Sequence, residues 1–178
     1  PQIKLVMQQN PIMYHPSALP EVKLFTPNES LLSGIAIGEN IKKSMVKVPV
    51  HVMLDLETLS TRPDATILTF GACKFNPYKQ EDITQGIYFR ISVDEQIVLG
   101  RHVDDNTVEW WGRQAEDVRE EALGEGNRVS LETMYQDLNR FCVGAENIWC
   151  QGPAFDIVIL ENIYRQMGWP TPWQFWQI

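Results

Sequence analysis

Groups with strong chemical signatures are scarce in this chain of 178 residues. It carries three cysteines (Cys73, Cys142 and Cys150) and three histidines. No two of the cysteines have the spacing of a metal-binding pair, so reduced, mostly buried thiols in a cytosolic protein are expected. No apolar run approaches the roughly 18–20 residues of a membrane span; the best, Ile157 to Leu160, is far too short. Repeats, low-complexity tracts and a signal peptide are also lacking. The first residue is Pro rather than Met, so a longer N-terminus is expected. Basic residues are few, with 15 Lys and Arg against 23 Asp and Glu, a formal net charge of −8. Such a balance argues against a passive nucleic-acid binder, which gains affinity from Lys and Arg on phosphates. It leaves room for a nuclease that holds its substrate through divalent cations, because that site must itself be rich in carboxylates.

The chain nevertheless has enough apolar residues, 44% of the total, for one real core plus an extension. Residues 1–47 are broken by Pro11, Pro16, Pro20 and Pro27 and hold no period for long, although Leu31 to Ile41 could form a short helix. They read as an N-terminal extension without a legible role. From Val48 the pattern sharpens into strands at Val48–Glu57, Ile67–Phe75 and Gly86–Ser92, expected to form an antiparallel meander. Short helices are expected at Asn106–Gln114 and Ala115–Leu123. Ser130 is a suitable N-cap for a helix whose apolar face is Leu131, Met134, Tyr135, Leu138, Phe141 and Cys142. A short strand, Asn147–Cys150, precedes a helix from about Ala154 to Met167, which Gly168 and Pro170 stop. This order implies an α/β fold: a mixed sheet packed by helices, with the first strand and the Asn147 strand parallel through a crossover.

Three carboxylates stand out against this pattern. Asp55 and Glu57 are two apart on a strand and share one face, while Val52, Leu54 and Leu56 take the other. Two carboxylates on a largely apolar strand repel one another and cost desolvation unless a cation lies between them. Taken alone, Asp-x-Glu also marks a strand end running into solvent. Asp156 stands in the first helical turn after the short strand, flanked by Phe155, Ile157, Val158, Ile159 and Leu160. By itself it could simply complement the helix N-terminus, for about 0.3–1 kcal/mol. In the expected topology, though, all three carboxylates open at the same sheet edge.

Met53-Leu54-Asp55-Leu56-Glu57-Thr58-Leu59 resembles the first motif of the DEDD (DnaQ-like) 3′–5′ exonuclease superfamily. Arg62-Pro63-Asp64-Ala65 with Ile67–Phe75 is similar to its continuation in phage exonuclease A, in exodeoxyribonuclease VIII-type nucleases and in related bacterial exoribonucleases. Thr107-Val108-Glu109-Trp110-Trp111 resembles their Thr-x-Glu-Trp-Trp signature. Gln151-Gly152-Pro153-Ala154-Phe155-Asp156 resembles the second motif, and Trp173–Trp176 the segment that follows. The resemblance covers residues 48–178 and implies an RNase H-like exonuclease domain. It further implies two Mg²⁺ or Mn²⁺ ions held by Asp55, Glu57 and Asp156 as the catalytic carboxylates, and single-stranded nucleic acid as substrate, DNA ahead of RNA. Thr58, Leu59 and Phe155 would border the terminal nucleotide, and Trp110 or Trp111 would stack on a base. For at least one of these tryptophans, core packing is the expected role.

The third motif of that superfamily, a fourth carboxylate preceded by a His or Tyr general base, has no counterpart. His15, His51 and His102 lack an Asp five residues on, and Tyr78 with Asp82 lies in the turn between the second and third strands. The sequence therefore implies a domain that continues beyond Ile178, leaving this portion severely impaired. The competing implication is a nuclease-fold binding or assembly module that has lost catalysis.

Overall fold

The computed structural model describes residues 50–80, 83 and 85–178; the expectations for residues 1–47 and for Asp82 lie outside the described residues. Strand β1 (His51–Thr58) alternates as its sequence demands. Val52, Leu54 and Leu56 are buried, while Met53, Asp55 and Glu57 are half-buried on the other face. Strand β2 (Ile67–Phe75) is buried continuously from Ile67 to Cys73, which is why it reads as an apolar run rather than an alternation. Strand β3 (Gln85–Ile91) completes the antiparallel meander. Tyr78 is exposed in the β2–β3 turn, where the Asn76 side chain accepts the Tyr78 N–H at 3.0 Å.

Two short elements escaped the sequence pattern. Helix α1 (Val93–Val98) begins at Ser92, whose hydroxyl accepts the Glu95 N–H at 3.3 Å, so Ser92 is a helix cap and not the last residue of a strand. The two-residue strand β4 (Arg128–Val129) pairs parallel with the end of β3 and is too short to show any period. Helices α2 (Asp105–Gly112) and α3 (Glu116–Leu123) lie between these two elements. Helix α4 (Leu131–Cys142) starts at the expected Ser130 cap, which accepts the Thr133 N–H, and buries Leu131, Met134, Leu138 and Cys142.

Strand β5 (Asn147–Trp149) pairs parallel with β1, and helix α5 (Asp156–Met167) ends at Gly168, whose φ of 71° is the left-handed cap that glycine adopts readily. The expected earlier start of α5, at Ala154, gives way to a turn in which Gly152 O accepts both the Phe155 and Asp156 N–H groups. The sheet order is β4-β3-β2-β1-β5. The main core joins Val52, Leu54, Leu56 and Phe70 of the sheet to Leu131, Met134 and Leu138 of α4 and Ile159, Leu160 and Ile163 of α5. A smaller cluster of Leu59, Leu68, Trp111 and Ala122 packs α2 and α3. Each such side chain contributes about 1.5–3 kcal/mol on burial. The result is an α/β mixed sheet with flanking helices, and among the described residues no helix is long and apolar enough to cross a membrane.

Candidate functional site

Strand β1 carries Asp55 and Glu57 toward its C-terminal end. Only His51, Val52 and Met53 of β1 pair with β5, so beyond Met53 that side of the strand is released from the ladder. Asp156 occupies it. Its Oδ1 accepts the Leu56 N–H at 3.2 Å, and its Oδ2 accepts the Gly152 N–H at 3.3 Å. The third carboxylate thus stands level with the residue between Asp55 and Glu57.

Asp156 is 3% exposed. Burial raises its pKa above the ordinary carboxylate range, and the hydrogen bonds from the Leu56 and Gly152 N–H groups offset part of that shift. The neighbouring Cys150 thiol is pushed up to about 11, first by burial and then by the charge of Asp156. An all-oxygen donor set with one desolvated carboxylate suits a hard divalent cation, which would relieve the cost of burying that charge. Among the described residues, however, no three His, Cys, Asp or Glu side chains gather closely enough to enclose an ion. The trio shares one region of the sheet without closing into a cage.

Beyond Glu57 the strand breaks register with β2, and Thr58 and Leu59 turn inward. The Thr58 hydroxyl donates to Ser60 O at 2.7 Å, and Thr58 O accepts the Trp111 indole N–H at 2.9 Å. Leu59 N donates to Thr66 O, and Leu59 O accepts the Asp104 N–H, both at 2.8 Å. The expected nucleotide-bordering residues therefore have buried side chains, and their backbone is held by the element that carries the two tryptophans. Those tryptophans divide the roles between them. Trp111 is 2% exposed and belongs to the core, whereas Trp110 is 51% exposed, edge-on to Trp111 at 5.0 Å. Phe155 is half-buried against the main core immediately before Asp156.

Three supporting residues had no sequence signal. Buried Gln96 imitates a strand, accepting the Ile67 N–H and donating to Ile67 O, each at 2.8 Å. His102 Nδ1 and the Ser60 hydroxyl are 2.8 Å apart, and Arg101 is buried nearby in the chain. Isolated polar residues in an irregular stretch have no period to betray them. Ser92-Val93-Asp94-Glu95 was the available clue, since Ser followed by Glu three residues on marks a helix start.

The architecture is shared with E. coli exonuclease I. In complex with a dT13 oligonucleotide, that enzyme superposes with a TM-score of 0.52 at 14% identity, covering 70% of this chain and 25% of the other. Its zinc-bound complex with single-stranded DNA gives the same TM-score, identity and coverage. At this identity the likeness is one of fold, an RNase H-like mixed sheet with flanking helices. The class, a DnaQ-like 3′–5′ exonuclease domain, rests on the family match over residues 50–178. Residues 50–178 match the 3′–5′ exoribonuclease Rv2179c-like domain, and the chain belongs to that family. An exodeoxyribonuclease of Enterobacteria phage T4 is 24% identical over 128 residues, 65% of this chain and 56% of the phage protein. The chain thus spans about half the length of that relative and a quarter of exonuclease I.

Proposed function

We propose that residues 48–178 belong to a divalent-cation-dependent 3′–5′ exonuclease domain that removes nucleotides from single-stranded DNA. The observation that carries this reading is the Asp156 carboxylate, buried and hydrogen-bonded to the Leu56 N–H between Asp55 and Glu57. Asp55, Glu57 and Asp156 would hold the cations, Mg²⁺ or Mn²⁺. When bound, a pair of such ions supplies activation of the attacking water and neutralisation of the leaving 3′ oxygen. The chain's own contribution is placement. The Leu56 and Gly152 N–H groups hold both Asp156 oxygens, and the Trp111 indole holds the backbone immediately after Glu57. Trp110 offers an exposed ring for base stacking, a contact worth about 1–3 kcal/mol that tolerates any sequence.

Single-stranded RNA is the second reading, favoured by the family's description as an exoribonuclease domain. The phage relative, named an exodeoxyribonuclease, favours DNA. The test incubates this chain, and a longer form carrying any sequence that follows Ile178, with 5′-labelled single-stranded DNA and RNA in Mn²⁺ or EDTA, alongside Asp55→Ala. From the longer form a metal-dependent ladder shortening from the 3′ end and lost in the variant is expected, stronger on DNA, with little from residues 1–178 alone. A stronger ladder on RNA would reassign the sugar. No ladder from either form of the protein on either nucleic acid would leave a nuclease-fold binding module as the better account.

A further inference from the structure

We propose that Arg101 is a positioning residue of this site, whose buried guanidinium ties the β1–β2 connection behind Glu57 to the helix begun by Asp156. It thereby sets the relation between two carboxylates that lie on different elements. The inference rests on the reading of Asp55, Glu57 and Asp156 as cation ligands.

Arg101 is 4% exposed. Its Nε and Nη2 donate to Ala65 O at 2.9 and 2.6 Å, and its Nη1 donates to Asn162 Oδ1 and Gln166 Oε1, both at 3.0 Å. Asn162 and Gln166 are four residues apart and so share one face of α5. Gln166 closes the circuit by donating from Nε2 to Leu99 O at 2.8 Å. One planar group therefore grips the β1–β2 connection with one edge and the Asp156 helix with another.

Every acceptor in this set is neutral. Burying a cation without a carboxylate in contact is costly, and burial lowers the Arg101 pKa to about 10, with Asp64 acting more weakly in the opposite direction. A neutral side chain would fill the space without that cost. What arginine alone supplies is a rigid fork of five donors in one plane, able to bridge two elements at fixed geometry.

The local backbone leaves this bridge to the side chain. Arg101 N donates to Gln96 O, His102 N donates to Asp64 O, and Thr66 N donates to His102 O. Those bonds, with the Gln96 clamp on Ile67, lace residues 96–102 to the start of β2 and reach no farther. The guanidinium and the Gln166–Leu99 bond carry the contact across to α5. Groups hydrogen-bonded to metal ligands alter metal affinity about 10–100-fold when removed. Arg101 touches none of the three carboxylates and acts through the elements that carry them, so a smaller effect is expected.

The test compares wild type with Arg101→Lys, which keeps the charge and loses the fork. A second variant, Asn162→Ala with Gln166→Ala, removes only the acceptors on α5. Uptake of Mn²⁺ alone is read from the loss of the free-ion EPR signal, and stability from melting in EDTA. Both variants are expected to fold, to melt a few degrees lower and to bind Mn²⁺ several-fold more weakly. Lower melting with unchanged Mn²⁺ affinity overturns the proposal and leaves Arg101 a purely structural residue. If wild type itself takes up no Mn²⁺, the cation reading fails and the positioning role falls with it. Should Arg101→Lys not fold, the α5 pair carries the test by itself.

Discussion

Asp156 Oδ1 accepts the Leu56 N–H at 3.2 Å, joining residues 100 apart in the chain. A backbone donor that continued pairing with β5 would have satisfied is used by a carboxylate instead. The bond puts a buried acid level with Asp55 and Glu57, and it is the narrowest point on which the proposed chemistry depends.

Asp156 should lower the stability of the cation-free protein. Its folded pKa is raised, so the folded state binds this proton more tightly than the unfolded chain does. That contribution is most favourable below the ordinary carboxylate value of about 3.9. It declines as pH rises from there through the raised folded value, and above it the penalty is complete. Asp156→Asn keeps a carbonyl acceptor for Leu56 but loses the bond from the Gly152 N–H. In EDTA it is expected to gain stability relative to wild type as pH rises from acid to neutral, while losing nuclease activity. A pH series of melts checks this. A variant that is less stable at neutral pH and gains nothing relative to wild type between acid and neutral would show that the carboxylate is stabilising.

Divalent cations should reverse that penalty. Ligand linkage gives about 2.7 kcal/mol of stabilisation at a concentration one hundred times Kd. Thermal melts with Mn²⁺ against EDTA are expected to separate for wild type and to coincide for Asp55→Ala. Separation that persists in Asp55→Ala would place the ions elsewhere.

The two adjacent tryptophans should fail in different ways. Trp111→Phe leaves Thr58 O without its buried indole donor and is expected to cost about 1–3 kcal/mol of stability. Trp110→Ala, at a half-exposed position, is expected to leave melting nearly unchanged and to raise KM for single strands by roughly 5–150-fold, the equivalent of about 1–3 kcal/mol of lost stacking. Equal effects of both on both measurements would remove the division of roles.

The three thiols should be slow to alkylate in the native protein. Burial raises Cys73, pushes Cys142 up to about 12 and, with Asp156 adding to it, pushes Cys150 up to about 11. Little thiolate exists near about pH 8, so iodoacetamide is expected to modify all three rapidly only after unfolding. Fast native labelling of Cys150, counted by mass spectrometry, would contradict its environment.

The main core should be sensitive at Leu54, fully buried on the strand that bears two of the carboxylates. Leu54→Ala is expected to cost about 2–5 kcal/mol, read as a shift of the denaturant midpoint. A loss below about 1 kcal/mol would mean that the site collapses around the deleted atoms.

The amino-acid sequence by itself determined which faces are buried. The alternation in β1, the apolar run of β2, the Leu131-Met134-Leu138 stripe of α4 and the Gly168 stop each follow from local geometry, so a linear pattern carries them. The same alternation put Asp55 and Glu57 together on the face opposite Leu54. Tertiary structure alone decided which polar group meets which. It assigned Asp156 to the Leu56 N–H, buried Trp111 while leaving Trp110 exposed, and made Gln96 and Arg101 into clamps between elements. The physical reason is that burial has a period along the chain, set by the helix or strand. A hydrogen bond between residues 29 to 100 positions apart has none, and it exists only once the packed elements bring donor and acceptor within reach.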